Sequence, residues 1–367
     1  TAQAAAVLGA RFTPDQLAAM LGTAEIAVQD ALEELERSGL VAGGQFRHDL
    51  LRQSVYRSLA SGRQALLHTR AAEVLAPQRG AAFAAERWIV VAEHLLAAGR
   101  SLAAARAFGR AANDLQDLGL VGQAKDLLQT ARARVEAGVA DRTEAEGELA
   151  QAPALLDVGL AHCLIEHGEL APASQLLNQA LAAATTPELH GSVLGARARL
   201  MLRTGQVEQA RDDARRAVEL ARVNADRLME LNASSLWAEA EFHLGDLEAA
   251  EGIVAANVAA LRQERLPIAL AAQLASLGAI LDALERHAEA LPVHLEALEL
   301  ARSLGARHQL VNVALNLVEC YRELNRPEDA LAVAAEALTL GEIDGVGVLR
   351  NNVASLLVAL DRLAEAE

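Results

Sequence analysis

The sequence predicts an all-α protein built as a solenoid of stacked helical repeats, with a small domain of different pattern in front of it. The main observation is a phrase, GQVEQARDDARRAVELAR from Gly205, that returns along the chain. Related copies begin at Gly168, Gly245, Glu285, Asn325 and Asp361. The alanine five residues into each copy recurs at separations of 37, 40, 40, 40 and 36 residues, at Ala173, Ala210, Ala250, Ala290, Ala330 and Ala366. Self-similarity at such a period indicates helix pairs that stack on one another.

Composition supports the same fold class. The chain has 367 residues, which is long for one core unless the architecture grows by adding repeats. Hydrophobic residues make up 52% but aromatic residues only 2%, so the core must consist of Ala, Leu and Val. The net charge of −16 opposes binding to nucleic acid or to an anionic membrane, and it favours a partner of basic character.

Cysteine usage and hydropathy exclude further classes. Cys163 and Cys320 lie far apart in helical patterns, which predicts two buried, reduced thiols rather than a disulfide. No apolar run approaches the ~20 residues that cross a bilayer, and no signal peptide is present, so we expect a cytoplasmic protein. The chain opens on Thr1 and ends inside a repeat copy, so we expect it to be a piece of a longer protein.

Residues 1–75 do not follow the repeat, and we interpret them as a winged-helix domain. Two short helices precede a third, AEIAVQDALEELERSG, and the Gly43-Gly44 turn then joins two short extended pieces. The expected inward-facing residues of the third helix are Ile26, Ala31, Leu32 and Leu35. Between Glu25 and Arg37 this helix carries five acidic residues and one basic residue. Because phosphates would repel it, we expect protein contact or packing here rather than DNA binding.

The phrases LGARFTPDQLAAMLG, DALEELERSGLV, FRHDLLRQSVYRSL and LHTRAAEVL carry a family resemblance. Residues 1–135 resemble the winged-helix segment of bacterial STAND ATPases, signal-transduction NTPases that include large LuxR-type transcriptional activators. In that family the segment follows a nucleotide-binding domain and precedes a helical-repeat sensor. The resemblance implies an upstream nucleotide-binding domain, and it implies that His48, Asp49 and Arg52 make an interdomain contact.

Two kinds of enzymatic site were possible alternatives, a metal-dependent hydrolase site and an ATP-hydrolysing site. The pair His48-Asp49 is also found in metal-dependent phosphohydrolases, but that chemistry needs further His and Asp ligands, and no second cluster appears. A phosphate-binding loop needs a lysine followed by Ser or Thr, and the one lysine, Lys125, is followed by Asp126. We therefore predict no catalytic residue, no metal and no cofactor.

Residues 76–135 are predicted to be bridging helices between the small domain and the repeats. Gly99 and Gly119 each precede an alanine-lined helical phrase, and their alanines Ala104 and Ala124 are 20 residues apart. That is half the later period, so each unit here should be a single helix. The acidic stretch 136–151, poor in large apolar residues, is predicted to be a loop or a frayed helix start, and to act as a hinge.

Residues 152–367 form the predicted repeat array, and LASLGAILDALER shows the pattern most clearly. Its large, large, small and large positions resemble the first helix of a tetratricopeptide repeat, and they are Leu274, Leu277, Gly278 and Leu281. Tyr321 fills the aromatic position of the next repeat and Pro327 its turn, whereas Glu241 stands where a large apolar residue is expected. The resemblance implies a right-handed superhelix whose first helices line a concave groove.

We expect the groove to bind a protein, a peptide or a small inducer. Counted from the clear repeats, its candidate residues are Arg199, Asn232, Ser235, Glu239, Asn312, Glu319 and Arg322. The array has no lysine for a carboxylate clamp, so acidic C-termini are not expected ligands. His287 and His294 could share a helix face, but no Cys or carboxylate completes a metal set in the sequence. The sequence thus favours a sensor module of a STAND-type regulator, with a constitutive assembly scaffold as the alternative.

Overall fold

A computed structural model describes residues 1–9, 11–77, 84–140, 146–264, 266–341 and 345–360. These residues form two compact units: residues 1–114 with 122–160, and residues 115–121 with 161–367. Nearly all of the described secondary structure is helical. The N-terminal elements are α1 (Ala2–Leu8), α2 (Pro14–Leu21), α3 (Glu25–Arg37), β1 (Val41–Ala42), β2 (Gln45–Phe46), α4 (Asp49–Arg57) and α5 (Ser61–Leu75).

The N-terminal elements follow the order that the sequence predicts. Strands β1 and β2 pair antiparallel, and the turn between them places Gly43 and Gly44 at φ angles of 56° and 74°, a conformation that favours glycine. Helix α2 begins with Pro14 in its first turn, and the backbone N–H of Thr13 donates to the Gln16 side chain at 3.2 Å. Three helices followed by a two-strand hairpin are therefore present.

One expectation about α3 is wrong. Ile26 was expected to face inward, but 69% of it is exposed, whereas Val28 is only 1% exposed and packs with Leu32 in the core of this part. Ile26 lies in the first turn of the helix and is not part of the core cluster that Val28 and Leu32 join. The acidic residues of α3 are exposed, and Glu36 also accepts a hydrogen bond from the backbone of Gly43 at 3.0 Å.

Four helices follow: α6 (Ala85–Ala97), α7 (Ser101–Asp117), α8 (Val121–Ala140) and α9 (Glu146–Glu166). The 20-residue spacing does mark single helices, because Ala104 in α7 and Ala124 in α8 are both fully buried. The predicted loop over 136–151 is wrong at both ends, where α8 and α9 are helical. Alanine and glutamate have high helix propensity, so weak hydrophobicity alone does not break a helix. Residues 141–145 lie outside the described residues.

Helix pairs make up the rest of the chain. They are α10 (Leu170–Ala183), α11 (Pro187–Arg203), α12 (Val207–Val223), α13 (Arg227–Leu244), α14 (Leu247–Glu264), α15 (Pro267–Ala283), α16 (His287–Leu304), α17 (Arg307–Glu323), α18 (Pro327–Leu338) and α19 (Val346–Ala359). Within the pairs, α11 packs on α12, α13 on α14, α15 on α16 and α17 on α18.

The recurring alanine holds these pairs together. Ala173, Ala210, Ala250, Ala290 and Ala330 are all 0% exposed, as expected for a small residue at a close helix contact. The last copy, with Ala366, lies outside the described residues. The main core of the array combines such alanines with leucines and valines of α13 to α19. Tyr321 is 5% exposed in this core, and Pro327 begins α18, both as the sequence predicts.

Candidate functional site

The candidate site is the surface of the first helices of the pairs, which we call the inner face. Helix α11 contacts α13, α15 contacts α17, and α17 contacts α19, so three of the four neighbouring couples of first helices lie against one another. Helices that touch from repeat to repeat form the layer in which the repeats approach most closely, which is the layer that faces the groove of a stacked array. The accessible side chains of α11, α13, α15 and α17 in this layer are therefore the ones that a ligand would meet.

All seven predicted groove residues lie on first helices of pairs, and each is at least partly accessible. Arg199 lies on α11; Asn232, Ser235 and Glu239 lie on α13; Asn312, Glu319 and Arg322 lie on α17. Whether they bind a ligand stays a prediction.

The seven candidates differ in how far their side chains are already engaged. Arg199 lies 3.8 Å from the carboxylate of Glu166, and the Ser235 hydroxyl donates to the carbonyl of Leu231 in its own helix at 2.8 Å. Arg322 pairs with Glu319. The structure thus pairs Glu319 with Arg322, and Asn232, Ser235 and Glu239 share one face of α13.

Helix α15 adds accessible alanines to the inner face, and the sequence analysis did not include them among the groove residues. Its positions equivalent to Asn232 and Glu239, forty residues later, are Ala272 and Ala279, and Ala283 follows at its end. Ala272 and Ala279 are partly exposed and Ala283 is exposed. Because alanine side chains are short, they project less far into the groove from α15 than the longer side chains project from α13 and α17. The signal was available in the sequence as alanine at positions where the neighbouring repeats carry longer side chains.

A pocket opens between the C-terminal ends of α15 and α17. It is lined by Asp282, Ala283, Glu285, His287, Glu319, Cys320 and Glu323. Four of these seven residues are carboxylic acids. We call this opening the acidic pocket, and it includes one predicted groove residue, Glu319.

A hydrogen-bond cluster lies at the acidic pocket and joins the two histidines that the sequence places on one helix face. The carboxylate of Asp282 accepts from Nδ1 of His287 and from Nε2 of His294, both at 2.9 Å. The thiol of Cys320 lies beside them and donates to the carbonyl of His287 at 3.6 Å. A carboxylate thus joins this histidine pair through hydrogen bonds, which the sequence did not indicate. Spacing alone could not show it, because Asp282 reaches the pair from the preceding helix.

The hydrogen bonds of this cluster favour the ionised form of the Asp282 carboxyl. Burial alone would raise the pKa of Asp282, but hydrogen bonds from His294, His287 and Cys320 lower it overall. Burial, together with the nearby Asp282 charge, raises the pKa of the Cys320 thiol to about 12, so the thiol stays protonated. Within the described residues no group of His, Cys, Asp and Glu side chains has the geometry to hold a metal ion. Cys163 and Cys320 are buried, free thiols.

In the first unit, His48, Asp49 and Arg52 lie at the start of α4, where His48 is the N-cap residue. The Asp49 carboxylate accepts from Nε of Arg52 at 2.7 Å and from Gln53 at 2.5 Å, and these bonds lower its pKa. Arg52 also donates to the carbonyl of Ala6 at 3.4 Å. Asp49 is thus paired with a neighbouring arginine. The predicted interdomain role of the three residues stays a prediction.

A second buried cluster ties α4 to α5 and α6. The Tyr56 hydroxyl lies 2.9 Å from Nε2 of His68, and Nδ1 of His68 lies 2.8 Å from Nδ1 of His94. Burial, followed by the charge of His94, lowers the pKa of His68 to about 4. The neutral form of His68 therefore prevails at physiological pH, and a single proton shared between the two rings satisfies the contact.

Comparisons with known proteins agree with the repeat architecture. Residues 269–342, which span α15 to α18, match the model of the tetratricopeptide repeat family. No curated protein is detectably similar to the chain. None of the helices in the described ranges is both long and apolar enough to cross a membrane.

Three solved structures illustrate what the fold is similar to. A signal transduction ATPase with numerous domains (STAND) protein with a tetratricopeptide repeat sensor, from Pyrococcus horikoshii, matches 98% of this chain with a TM-score of 0.57 and 12% identity, over 59% of its own length. A Rap protein complexed with competence and sporulation factor matches 93% of this chain and 94% of its own, with a TM-score of 0.53 and 15% identity. The apo form of RapI matches 71% and 73%, with a TM-score of 0.55 and 13% identity. At these identities the likeness shows the fold, which is a tetratricopeptide-like helical solenoid.

Proposed function

We propose that this chain is a non-catalytic interaction module that binds a peptide or a protein segment on its inner face, as the sensor of a STAND-type signalling regulator. The observation that carries the proposal is the inner face itself, a layer of accessible polar and small side chains from α13, α15 and α17. Such a face offers hydrogen-bonding groups and room for a main chain, and it holds no set of residues with a catalytic geometry that we recognise.

The order of elements supports the regulatory part of the proposal. Three helices and a hairpin come first, and we assign them as a winged helix whose exposed His48 and Asp49, with Arg52, contact a nucleotide-binding domain. Long helices and then helix pairs follow, in the order of the STAND regulators that the sequence resembles. A peptide, protein or small inducer on the inner face would then shift the conformational equilibrium of the regulator. The Rap protein with a similar fold was solved in complex with competence and sporulation factor, which supports a ligand-binding role for such a fold.

Binding can be tested with an array of synthetic nonapeptides of random sequence. Ala283 is exposed on the inner face, so Ala283→Trp should block a ligand there and weaken binding at least tenfold. Ala256 is exposed on α14, a second helix of its pair, and Ala256→Trp is the matched control that should bind like the unchanged chain. If both variants bind alike, the inner face is not the binding surface.

The sensor role is tested separately from binding. Small-angle scattering of the chain, recorded with and without a peptide selected from the array, should show a change in the radius of gyration if ligand binding shifts a conformational equilibrium. An unchanged profile at saturating peptide contradicts the sensor role and favours the constitutive scaffold, which binds without switching.

A further inference from the structure

The turn between α7 and α8 belongs to the same compact unit as the helix pairs. Residues 115–121 group with residues 161–367, whereas the rest of α7 and α8 belongs to the first unit. Within the second unit the turn contacts α9, where the Gln116 side-chain amide donates to Sγ of Cys163 at 3.2 Å. The turn therefore packs on the repeat part of the chain.

A second contact of this turn lies on the inner face. A Cβ atom built on Gly119 would lie 2.7 Å from Cδ2 of His308 and closer still to its Nε2, so the glycine backbone touches the imidazole ring. His308 lies in the first turn of α17, and Asn312, one of the predicted groove residues, follows one helical turn later on the same side of the helix. The α7–α8 turn thus rests against the start of an inner-face helix that is far from it in sequence.

This close approach is not a general property of such turns. Gly168, Gly205 and Gly245 lie in turns between helices with φ angles of 76°, 76° and 87°, nearly the same as the 76° of Gly119. A Cβ atom on any of these three would meet no atom within 4 Å. The left-handed conformation therefore explains why each turn contains glycine, but the contact with His308 is particular to Gly119 among these four.

The turn lies at the edge of an opening on the inner face. This opening is lined by His308, Gln309, Asn312, Leu315 and Gly345. Asn312 is exposed, whereas His308 and Gln309 are half-buried. A peptide chain that followed the inner face from Asn312 towards the start of α17 would meet the α7–α8 turn within about 6 Å, the rise of four helical residues.

We propose that the α7–α8 turn is an autoinhibitory element, which occupies the start of α17 and must leave before a peptide binds along that part of the inner face. The proposal rests on the proposed function, because it states what controls access to the same surface. Two features suit a displaceable element. The thiol of Cys163 is a weak acceptor, and a glycine offers the His308 ring few atoms. Leu118 and Leu120, on either side of Gly119, are 44% and 39% exposed, so neither is fixed in a core.

The contact itself is tested without a ligand, by urea unfolding. Gly119→Ala adds a methyl group in the path of the His308 ring, and Gly205→Ala is the matched control with the same φ angle and open space around it. Gly119→Ala should therefore lower the urea midpoint more than Gly205→Ala does. In chains that also carry His308→Ala, the two glycine variants should lower the midpoint equally, because the ring is gone. Equal losses in the unchanged background, or an excess that persists without the ring, would contradict the contact.

The inhibitory role is tested with nonapeptides from the array whose binding is weakened by Asn312→Trp, since these peptides bind beside the turn. Their dissociation constants, measured by fluorescence anisotropy, should be about fivefold lower for Gly119→Ala than for Gly205→Ala. That factor is expected if the turn is in place in roughly four of five unbound molecules. If Gly119→Ala binds these peptides as its control does, or more weakly, the turn does not compete with them.

The outcomes separate this inference from the proposed function. If peptides bind but Asn312→Trp weakens none of them, or if Gly119→Ala does not strengthen binding, the inhibitory role is wrong while the binding function stands. If no peptide binds either the unchanged chain or Gly119→Ala, the proposed function is wrong and the inhibitory role falls with it. Binding to Gly119→Ala but not to the unchanged chain or to Gly205→Ala would support both.

Discussion

Two neighbouring repeats, α13 with α14 and α15 with α16, share one architecture but fill it with different chemistry. Their helices are of nearly equal length, and the recurring alanines Ala250 and Ala290 are equally buried. Four equivalent positions, forty residues apart, differ in kind. The first repeat has Ala238, Phe242, Leu247 and Val254 where the second has Gly278, Asp282, His287 and His294. An apolar set in one repeat is thus replaced by a hydrogen-bonded set in the next.

The exchange keeps the volume of the contact. A Cβ atom built on Gly278 would lie 2.3 Å from the ring of His294, so only glycine leaves room for that ring. At the equivalent positions the preceding repeat has Ala238 and Val254 and the following one has Val318 and Ala334, all of them buried. When one partner grows, the other shrinks. The comparison teaches that the fold constrains the summed volume of the contact, whereas the chemistry of each residue is free to change.

The first repeat has a polar network of its own at another place. The Ser234 hydroxyl donates to the Asn257 side chain at 2.8 Å, and Asn257 donates to Gln273 at 3.1 Å, which joins α13, α14 and α15. The equivalent positions of Ser234 and Asn257 in the second repeat are the apolar Leu274 and Ala297. Both repeats therefore contain a polar network, but the two networks occupy different positions. The hydrogen bonds between helices thus differ from one repeat to the next.

The largest effect is expected from Gly278→Ala. The added methyl group would overlap the buried ring of His294, and overpacking of this kind costs about 3 kcal/mol of unfolding free energy. The double variant Gly278→Ala/His294→Val copies the pair of the preceding repeat and should recover most of the loss. Urea unfolding of the three proteins measures both effects. A double variant no more stable than Gly278→Ala alone would contradict the volume argument.

The second largest effect is expected from Asp282→Asn. The free energy of unfolding should fall by about 2 kcal/mol at neutral pH, because two imidazoles lose a charged acceptor. The pKa of Asp282 is lower in the folded protein than in the unfolded chain, so folding favours the ionised form. Its contribution is therefore complete above about pH 5 and is lost as the pH falls below about 4. Urea unfolding of both proteins at pH 7, 5 and 3.5 should show the difference between them shrinking with acidification. A difference independent of pH would rule out this account.

Asn257→Ala introduces the residue of the next repeat into the first one, and a smaller loss of about 1 kcal/mol is expected. The one proton of the Ser234 hydroxyl still has an acceptor in the carbonyl of Leu231 at 3.1 Å, so no buried donor is left without a partner. The midpoint of thermal unfolding measures the change. Ala297→Asn, the reverse exchange in the second repeat, should be more costly, because Leu274 offers the new amide no partner there.

The smallest effect is expected at Glu241, which occupies the large apolar position of its repeat. The indole Nε1 of Trp237 donates to its carboxylate at 2.7 Å. Glu241→Leu restores the residue type of Leu281 but leaves the indole N–H to solvent, so the two changes should nearly cancel, within about 0.5 kcal/mol. The same urea assay provides the check, and a loss above 1 kcal/mol would show that the indole bond matters more than the apolar contact.

Much of the fold followed from the sequence because it depends on local periodicity. A small residue repeated at a fixed interval on one helix face predicts a close helix contact, and five of its six copies are indeed buried, the sixth lying outside the described residues. The first helices of the pairs, and hence the predicted groove residues, could be placed for the same reason. Ile26 and the loop over 136–151 were misplaced because the ends of helices depend on packing as well as on composition.

The sequence by itself determined the repeat period, the alanine contacts and the acidic character of the chain, since each is a property of residue type and spacing. Only the tertiary structure decided that Asp282 reaches both His287 and His294, and that the acidic pocket collects its carboxylates from two repeats. These contacts join residues on different helices, and their formation depends on interhelical distances and side-chain conformations. The periodicity that predicts a helix contains no information about those two quantities.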